Sequence, residues 1–109
     1  MGLAASQARL LMLTARKSDL ERDLQFINQA RLQLSNMVSL LLQQGMNLDP
    51  ESADSQRLQH ATASIQEEDK RFELEANRIN TQHEAVSTEV DAVRKVISKN
   101  IASTFKLLG

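Results

Sequence analysis

The sequence contains no cysteine, tryptophan or tyrosine, and it has only three glycines and one proline among 109 residues. Without cysteine there can be no disulfide framework, no thiolate metal site and no cysteine nucleophile. So few glycine and proline residues provide too few turns for a sandwich or barrel of many strands. Because no apolar run approaches the roughly 20 residues that a membrane span requires, no transmembrane helix is predicted.

The rest of the composition is ordinary for a folded protein, with 41% apolar and 25% charged residues. The length allows one domain. A net charge of −1 argues against a general nucleic-acid binder. The beginning of the sequence has neither the basic region nor the long apolar stretch of a cleaved signal peptide, so export would need a route without one.

A single turn is predicted, because the sequence has only one strong break. Gly45 suits the position just after a helix, where a left-handed conformation costs little. Asp49 suits the N-cap of a following helix, with Pro50 at its first position. A short connection of this kind joins antiparallel helices. The predicted domain is a single helical hairpin covering residues 1–109, with a helix at about 5–44, a turn at 45–49 and a helix at about 50–108.

Apolar residues recur every seven positions in both predicted helices, and others lie between them at three- and four-residue steps. The repeat consists of Leu13, Leu20, Ile27, Leu34 and Leu41, and then of Leu58, Ile65, Phe72, Ile79, Val86 and Val93. This spacing keeps one stripe of each helix facing a partner and is typical of a left-handed coiled coil. The sequence therefore predicts an all-α fold, a long antiparallel coiled-coil hairpin with helices of unequal length.

Four polar residues interrupt the stripe, and they favour one register of the hairpin. If the numbers of facing residues sum to 99 or 100, Arg31 meets Asp69, Lys17 meets His83, and apolar residues face apolar ones. We predict these two polar pairs within the hairpin. Registers shifted by three or four residues stay open, because the favoured one places like heptad positions opposite each other.

The end of the second helix is rich in apolar residues that have no predicted partner in the same chain. In the favoured register the first helix runs out opposite residues 93–97. The first helix also carries a second apolar set, away from its stripe. Exposed apolar surface marks interaction sites, so we expect assembly with other copies or with a partner chain. The predicted self-assembly interface consists of Val93, Val96, Ile97, Ile101, Phe105 and Leu108.

Charge is segregated along the chain. The net charge is +2 over residues 1–45, −7 over residues 46–92 and +4 over residues 93–109. One interpretation is that these charges complement the helix dipoles. A second, compatible interpretation is head-to-tail stacking, in which the basic end of one copy meets the acidic part of its neighbour.

No group of residues predicts catalysis. The two histidines, His60 and His83, lie far apart and lack the spacing of metal ligands. There is no serine in a nucleophile motif and no glycine-rich loop for phosphate. The basic tail has one phenylalanine and no interleaved aromatic residues, so it does not suit nucleic acid. We therefore expect no enzymatic activity, no catalytic, metal or cofactor-binding residues, and no cofactor.

The Asp49-Pro50 turn and the run from Val90 to Lys106 resemble the needle and filament subunits of bacterial type III secretion systems. The run shares the family's order of Val–Asp–Ala, a following isoleucine, and a phenylalanine next to a basic residue. In that family the C-terminal helix packs many subunits around a narrow lumen. The resemblance implies inter-subunit contacts at Ile97, Ile101 and Phe105, and positions facing the lumen or a neighbour at Lys99, Asn100 and Lys106.

These observations predict a non-enzymatic, bacterial, secretion-related subunit that self-assembles into a helical filament or tube. We expect it outside the cell or at the cell surface, reached without a cleaved signal peptide. The alternative is a soluble, cytoplasmic coiled-coil chaperone or adaptor of a secretion system that binds a partner helix. A third hypothesis is a membrane-surface coiled coil, because Gly2 and Ser6 fit a myristoylation pattern. The expected partners are other copies and a secretion chaperone or export machinery, not nucleic acid or a membrane.

Overall fold

The fold is a pair of helices. A computed structural model of the chain describes residues 2–108, whereas Met1 and Gly109, the ends of the predicted domain, lie outside the described residues. Helix α1 is Leu3–Gly45, with 43 residues, and helix α2 is Ala53–Leu108, with 56 residues. The described part of the chain contains no strand. This architecture confirms the predicted all-α helical hairpin with unequal helices.

The hairpin divides into two compact units, each built from one segment of α1 and one of α2. The terminal unit combines the residues up to Asp23 with those from Ile79 onward, and the turn unit is Leu24–Arg78. In the terminal unit, Arg9 contacts Glu89 and Glu21 contacts His83. Residue numbers therefore rise along one segment as they fall along the other, which is the antiparallel arrangement.

The core of the terminal unit is a line of apolar side chains that we call the seam, the stripe of each helix that faces the other. Its buried apolar members are Leu20, Ile79, Val86, Val90 and Val93. The four on α2 are spaced by seven, four and three residues, which keeps them on one face of that helix. Four of the five are β-branched, and this compact shape lets the helices approach closely along the seam.

The seam of the turn unit is less completely buried. Among its described residues the buried apolar side chains are Ile27 and Ala76. The other large apolar seam residues are half-buried, namely Leu24, Leu34, Val38, Leu41, Leu58, Ile65 and Phe72. The same 3-4 spacing therefore continues through this unit, but it closes a looser core.

The connection between the helices differs from the prediction at its second half. Helix α2 begins at Ala53, not at Pro50, and its N-cap is Ser52, whose Oγ accepts a hydrogen bond from the Ser55 backbone N–H at 3.1 Å. Asp49 instead organises a tight turn: its side chain accepts from the Glu51 N–H at 3.1 Å, and its carbonyl accepts from the Ser52 N–H at 2.9 Å. Serine and aspartate are both good N-cap residues. Because the Asp49 side chain bonds the backbone N–H of the residue two positions later, Ser52 is the N-cap of α2.

Gly45 also behaves differently from the prediction. It is the last residue of α1, and none of the described glycines has a positive φ. The helix ends through turn bonds three residues apart, with the Leu48 N–H donating to the Gly45 carbonyl at 3.2 Å. A Cβ at Gly45 would lie 3.4 Å from Leu58 Cδ1. That distance is an ordinary van der Waals contact, so neither the backbone conformation nor the space at this position demands glycine.

Candidate assembly surfaces

The first candidate surface is the C-terminal overhang, which we define as residues 94–108 of α2. Ser6 of α1 and Val93 of α2 line the same pocket, so these residues lie at the same level of the terminal unit. Only Leu3, Ala4 and Ala5 of α1 lie beyond Ser6, whereas fifteen residues of α2 continue beyond Val93. At 1.5 Å per residue, about 18 Å of α2 extends past the beginning of α1.

The overhang exposes most of the side chains predicted to form the self-assembly interface. Phe105 is 70% exposed and Ile101 is 41% exposed, and Val96 and Leu108 are exposed as well. Ile97 is half-buried. Because α1 does not cover this part of α2, the apolar residues remain on the surface of the chain. An exposed patch of this kind is the usual mark of an interaction site.

Val93 requires a correction to the predicted interface. It is only 7% exposed and belongs to the seam of the terminal unit. Helix α1 begins at Leu3, two residues earlier than predicted, and therefore still covers Val93. The residues of the predicted interface that offer surface to a partner are the five that follow Val93.

The overhang has two chemically different faces. Ile97, Ile101, Phe105 and Leu108 are spaced by three and four residues and share one side of the helix. Lys95, Lys99 and Lys106 are spaced by four and seven residues and share another side. All three lysines are exposed, and the overhang contains no acidic residue. It is thus an amphipathic and strongly basic helix end.

The second candidate surface is the turn groove, an open apolar pocket of about 380 Å³ in the turn unit. It is lined mainly by Leu41, Leu42, Gly45, Met46, Leu58 and Thr62. Leu42 is 60% exposed and Met46 is 80% exposed. Both side chains are therefore available to a partner without disturbing the seam.

Two small seam residues line the groove. Continuing the 3-4 spacing from Val38 and Leu41 brings Gly45 onto the seam of α1, and Ser55 occupies the seam of α2. Both are smaller than the leucine or isoleucine that a coiled coil places at such positions. Leu58 Cδ1 lies beside Gly45, and the space that remains around Gly45 and Ser55 is part of the open pocket.

More apolar surface lies on the other flank of α1 in the turn unit. Met37 and Leu40 are exposed and line a second open apolar pocket with Ala61 and Ile65. The stretch of α1 between Met37 and Met46 therefore exposes apolar side chains on both sides of the seam. A helix with this composition is normally covered on more than one side.

Arg31 and Asp69 form a bidentate ion pair inside the turn unit. Arg31 Nε donates to Asp69 Oδ1 at 2.8 Å, and its second nitrogen donates to Oδ2 at 3.3 Å. The hydrogen bond from Arg31 holds the pKa of the Asp69 carboxyl below its usual value. The same bond raises the pKa of Arg31. The sequence predicts Arg31 and Asp69 as partners. Their contact fixes the register of the two helix segments in the turn unit.

His83 has a different partner from the one the sequence predicts. Its Nε2 lies 2.9 Å from Glu21 Oε1 in the terminal unit, whereas the sequence predicts Lys17 opposite it. Glu21 lies beside the seam of α1, and its flexible side chain reaches across to the imidazole. Arg9 and Glu89 form an ion pair at 3.2 Å between the two helix segments of the terminal unit, which the heptad pattern alone does not predict. Oppositely charged residues flanking a heptad stripe are the signal that would have found both pairs.

Among the described residues, no group of three or more histidines and carboxylates lies close enough to hold a metal ion. Neither described helix has a segment long and apolar enough to cross a membrane.

The sequence matches no protein-family model, and no curated protein or solved structure is significantly similar to the chain.

Proposed function

We propose that this protein is a structural subunit that self-assembles through its helices into a filament or tube. The observation that carries the proposal is the overhang, in which about 18 Å of amphipathic helix has no partner in its own chain. The free energy of the system falls when another apolar surface removes side chains such as Phe105 from water. Another copy of the chain can provide that surface, because every solution of the protein contains other copies.

The turn groove supports the same proposal. It provides a second, different apolar surface on each copy, and two different surfaces allow assembly to continue beyond a dimer. The resemblance of the Asp49-Pro50 turn and the C-terminal run to secretion needle subunits favours a filament or tube over a closed ring. It is also the basis for proposing a secretion-related role outside the cell.

A second candidate function is that of a chaperone or adaptor, and the groove favours it. An open apolar groove between two helices suits the apolar face of a third helix. In that case the protein forms a small, discrete oligomer and takes up one partner helix in a fixed ratio. The two functions differ in whether the purified protein, with nothing added, continues to grow in mass as its concentration rises.

The test measures the mass of the purified full chain by light scattering over a hundredfold range of concentration and examines the concentrated sample by electron microscopy. We expect the mass to grow with concentration and filaments to appear. Ile101→Gln/Phe105→Gln removes two exposed apolar side chains and should abolish growth without changing the helix content measured by circular dichroism. Ser103→Gln, on the lysine side of the overhang, is the matched control and should assemble like the unmodified chain.

A mass that stays at one chain, or at one small oligomer, over the whole range contradicts the proposal. Growth that is the same in the Ile101→Gln/Phe105→Gln variant contradicts the role assigned to the overhang. Stoichiometric capture of an added amphipathic helix by a small oligomer that does not grow would support the chaperone instead.

A further inference from the structure

We infer that the overhang of one copy docks in the turn groove of a second copy, so that assembly is head to tail. This inference rests on the proposed self-assembly and names the two surfaces that meet. Each surface has what the other lacks: the groove is an open apolar pocket beside Gly45 and Ser55, and the overhang has a row of exposed apolar side chains that α1 does not cover.

The apolar row of the overhang is short enough to lie along the groove. The α2 side of the groove runs from Ser55 to Gln66, which is about 17 Å of helix. The row from Ile101 to Leu108 spans about 10 Å. The row therefore fits within the length of the groove over two helical turns, and the large Phe105 is available to fill the open apolar pocket.

Charge selects this arrangement over the symmetric one. The overhang carries four basic residues and no acidic residue, so two overhangs placed side by side repel each other. The region around the groove exposes three carboxylates, those of Asp49, Glu51 and Asp54, against the single cation of Arg57. Opposite charge favours the contact between overhang and groove.

The lysines act mainly by steering. Lys99 and Lys106 lie on the side of the overhang away from the apolar row, so they do not enter the groove with Phe105. Their field attracts the acidic turn from a distance and raises the rate of encounter. The rate of assembly should therefore fall as salt is added, by about tenfold when ionic strength rises from about 0.05 to 0.5 M.

Because the overhang and the groove are different surfaces, the contact is heterologous. A copy whose overhang is occupied still presents a free groove, and a copy whose groove is occupied still presents a free overhang. Such a contact builds an open chain or a ring, not a closed two-fold dimer. This property makes the inference testable by complementation between two disabled variants.

The experiment uses two full-length variants. The overhang variant is Ile101→Gln/Phe105→Gln, and the groove variant is Leu42→Gln/Met46→Gln; all four side chains are exposed, so both variants keep the hairpin. We expect each variant alone to be monomeric. Mixed in equal amounts, they should form a dimer of twice the chain mass that does not grow, because the one intact overhang enters the one intact groove. Light scattering and native mass spectrometry measure this mass.

Three results overturn the inference while leaving self-assembly in place. In the first, the unmodified chain assembles but the mixture of the two variants stays monomeric. In the second, the groove variant assembles alone through paired overhangs. In the third, the rate of assembly is unchanged by salt. If the unmodified chain itself stays monomeric at every concentration, the proposed function fails first. The two failures are therefore distinguishable in one set of measurements.

Discussion

The terminal unit and the turn unit share one heptad pattern but bury it to different degrees. In the terminal unit five described apolar seam residues are buried, whereas in the turn unit the described ones number two. The difference follows from the side chains on the seam. Both units have polar residues on the seam, Lys17 and His83 in one and Arg31 and Asp69 in the other, but the turn unit also has Gly45, which contributes no side chain.

This comparison separates two roles that one hairpin has to perform. A more completely buried seam provides more of the free energy of folding, because burial of apolar area is the main favourable contribution. An interrupted seam leaves apolar surface for a partner and opens more readily, as regions with few buried contacts do. We therefore expect the terminal unit to hold the hairpin together and the turn unit to provide the receiving surface.

The largest predicted effect compares the same substitution in the two units. Ile79→Ala in the terminal unit, where the side chain is buried, should lower the free energy of unfolding by about 3 kcal/mol. Ile65→Ala in the turn unit, where the side chain is half-buried, should cost about half as much, because fewer contacts are lost. Urea unfolding followed by circular dichroism measures both, in the Ile101→Gln/Phe105→Gln background so that assembly does not contribute.

Leu74→Ala is the control for this comparison, because Leu74 is well exposed and its truncation should cost less than about 0.5 kcal/mol. Equal losses for Ile79→Ala and Ile65→Ala would remove the distinction between the two units.

A smaller effect sharpens the comparison by testing a flaw in the better-packed unit. The Ser6 side chain is fully buried in the terminal unit, and its Oγ has no hydrogen-bond partner. A buried hydroxyl without a partner has lost its bonds to water and gained none in return. Ser6→Ala should therefore stabilise the hairpin by about 1 kcal/mol, measured by the same unfolding experiment.

Ser18→Ala provides the matched control for Ser6, because Ser18 lies on α1 in the same unit and is exposed. It reports the gain from the higher helix propensity of alanine alone, about 0.5 kcal/mol or less. If both substitutions stabilise equally, burial of the Ser6 hydroxyl carries no cost.

The sequence predicts the two helices of this molecule better than it predicts the N-cap of α2 and the partners of individual polar side chains. The hairpin follows from the 3-4 spacing because the pattern repeats over many turns, from Leu13 to Val93, and no other regular structure satisfies it. The N-cap did not follow, because Asp49 and Ser52 are both good capping residues and the choice depends on the turn that Asp49 forms with the backbone. The partner of His83 did not follow either, because the long side chain of Glu21 reaches the imidazole from beside the seam.

The two candidate surfaces also differ in how far the sequence predicts them. Comparing the lengths of the helices predicts the overhang, and only Val93 was assigned to the wrong side of its boundary. The groove was missed because glycine near the end of a helix is ordinarily a stop signal. At Gly45 the glycine is the last residue of α1 and lines the pocket together with Ser55 and Leu58, which a stop signal in the sequence does not reveal.

The smallest predicted effect is a dependence on pH that belongs to the turn unit. Because Arg31 lowers the pKa of Asp69, the folded state holds this carboxylate charged at a pH where the unfolded chain begins to bind a proton. The resulting stability is fully present above the ordinary aspartate value of about 4 and is lost as the pH falls through the lower folded value. Arg78 lowers the pKa of Glu75 on the same helix, so Glu75 contributes in the same direction.

Thermal unfolding followed by circular dichroism between about pH 7 and pH 2.5 measures this dependence, with the pH range set by the ordinary carboxyl pKa values. Asp69→Asn should lower the melting temperature near neutral pH and flatten its fall below about pH 4, because no carboxylate remains to be protonated beside Arg31. Glu75→Gln is the control: its pair with Arg78 lies within one helix and does not join α1 to α2. A larger flattening in Glu75→Gln than in Asp69→Asn would mean that the ion pair across the hairpin contributes less to the turn unit than a pair on the surface of one helix.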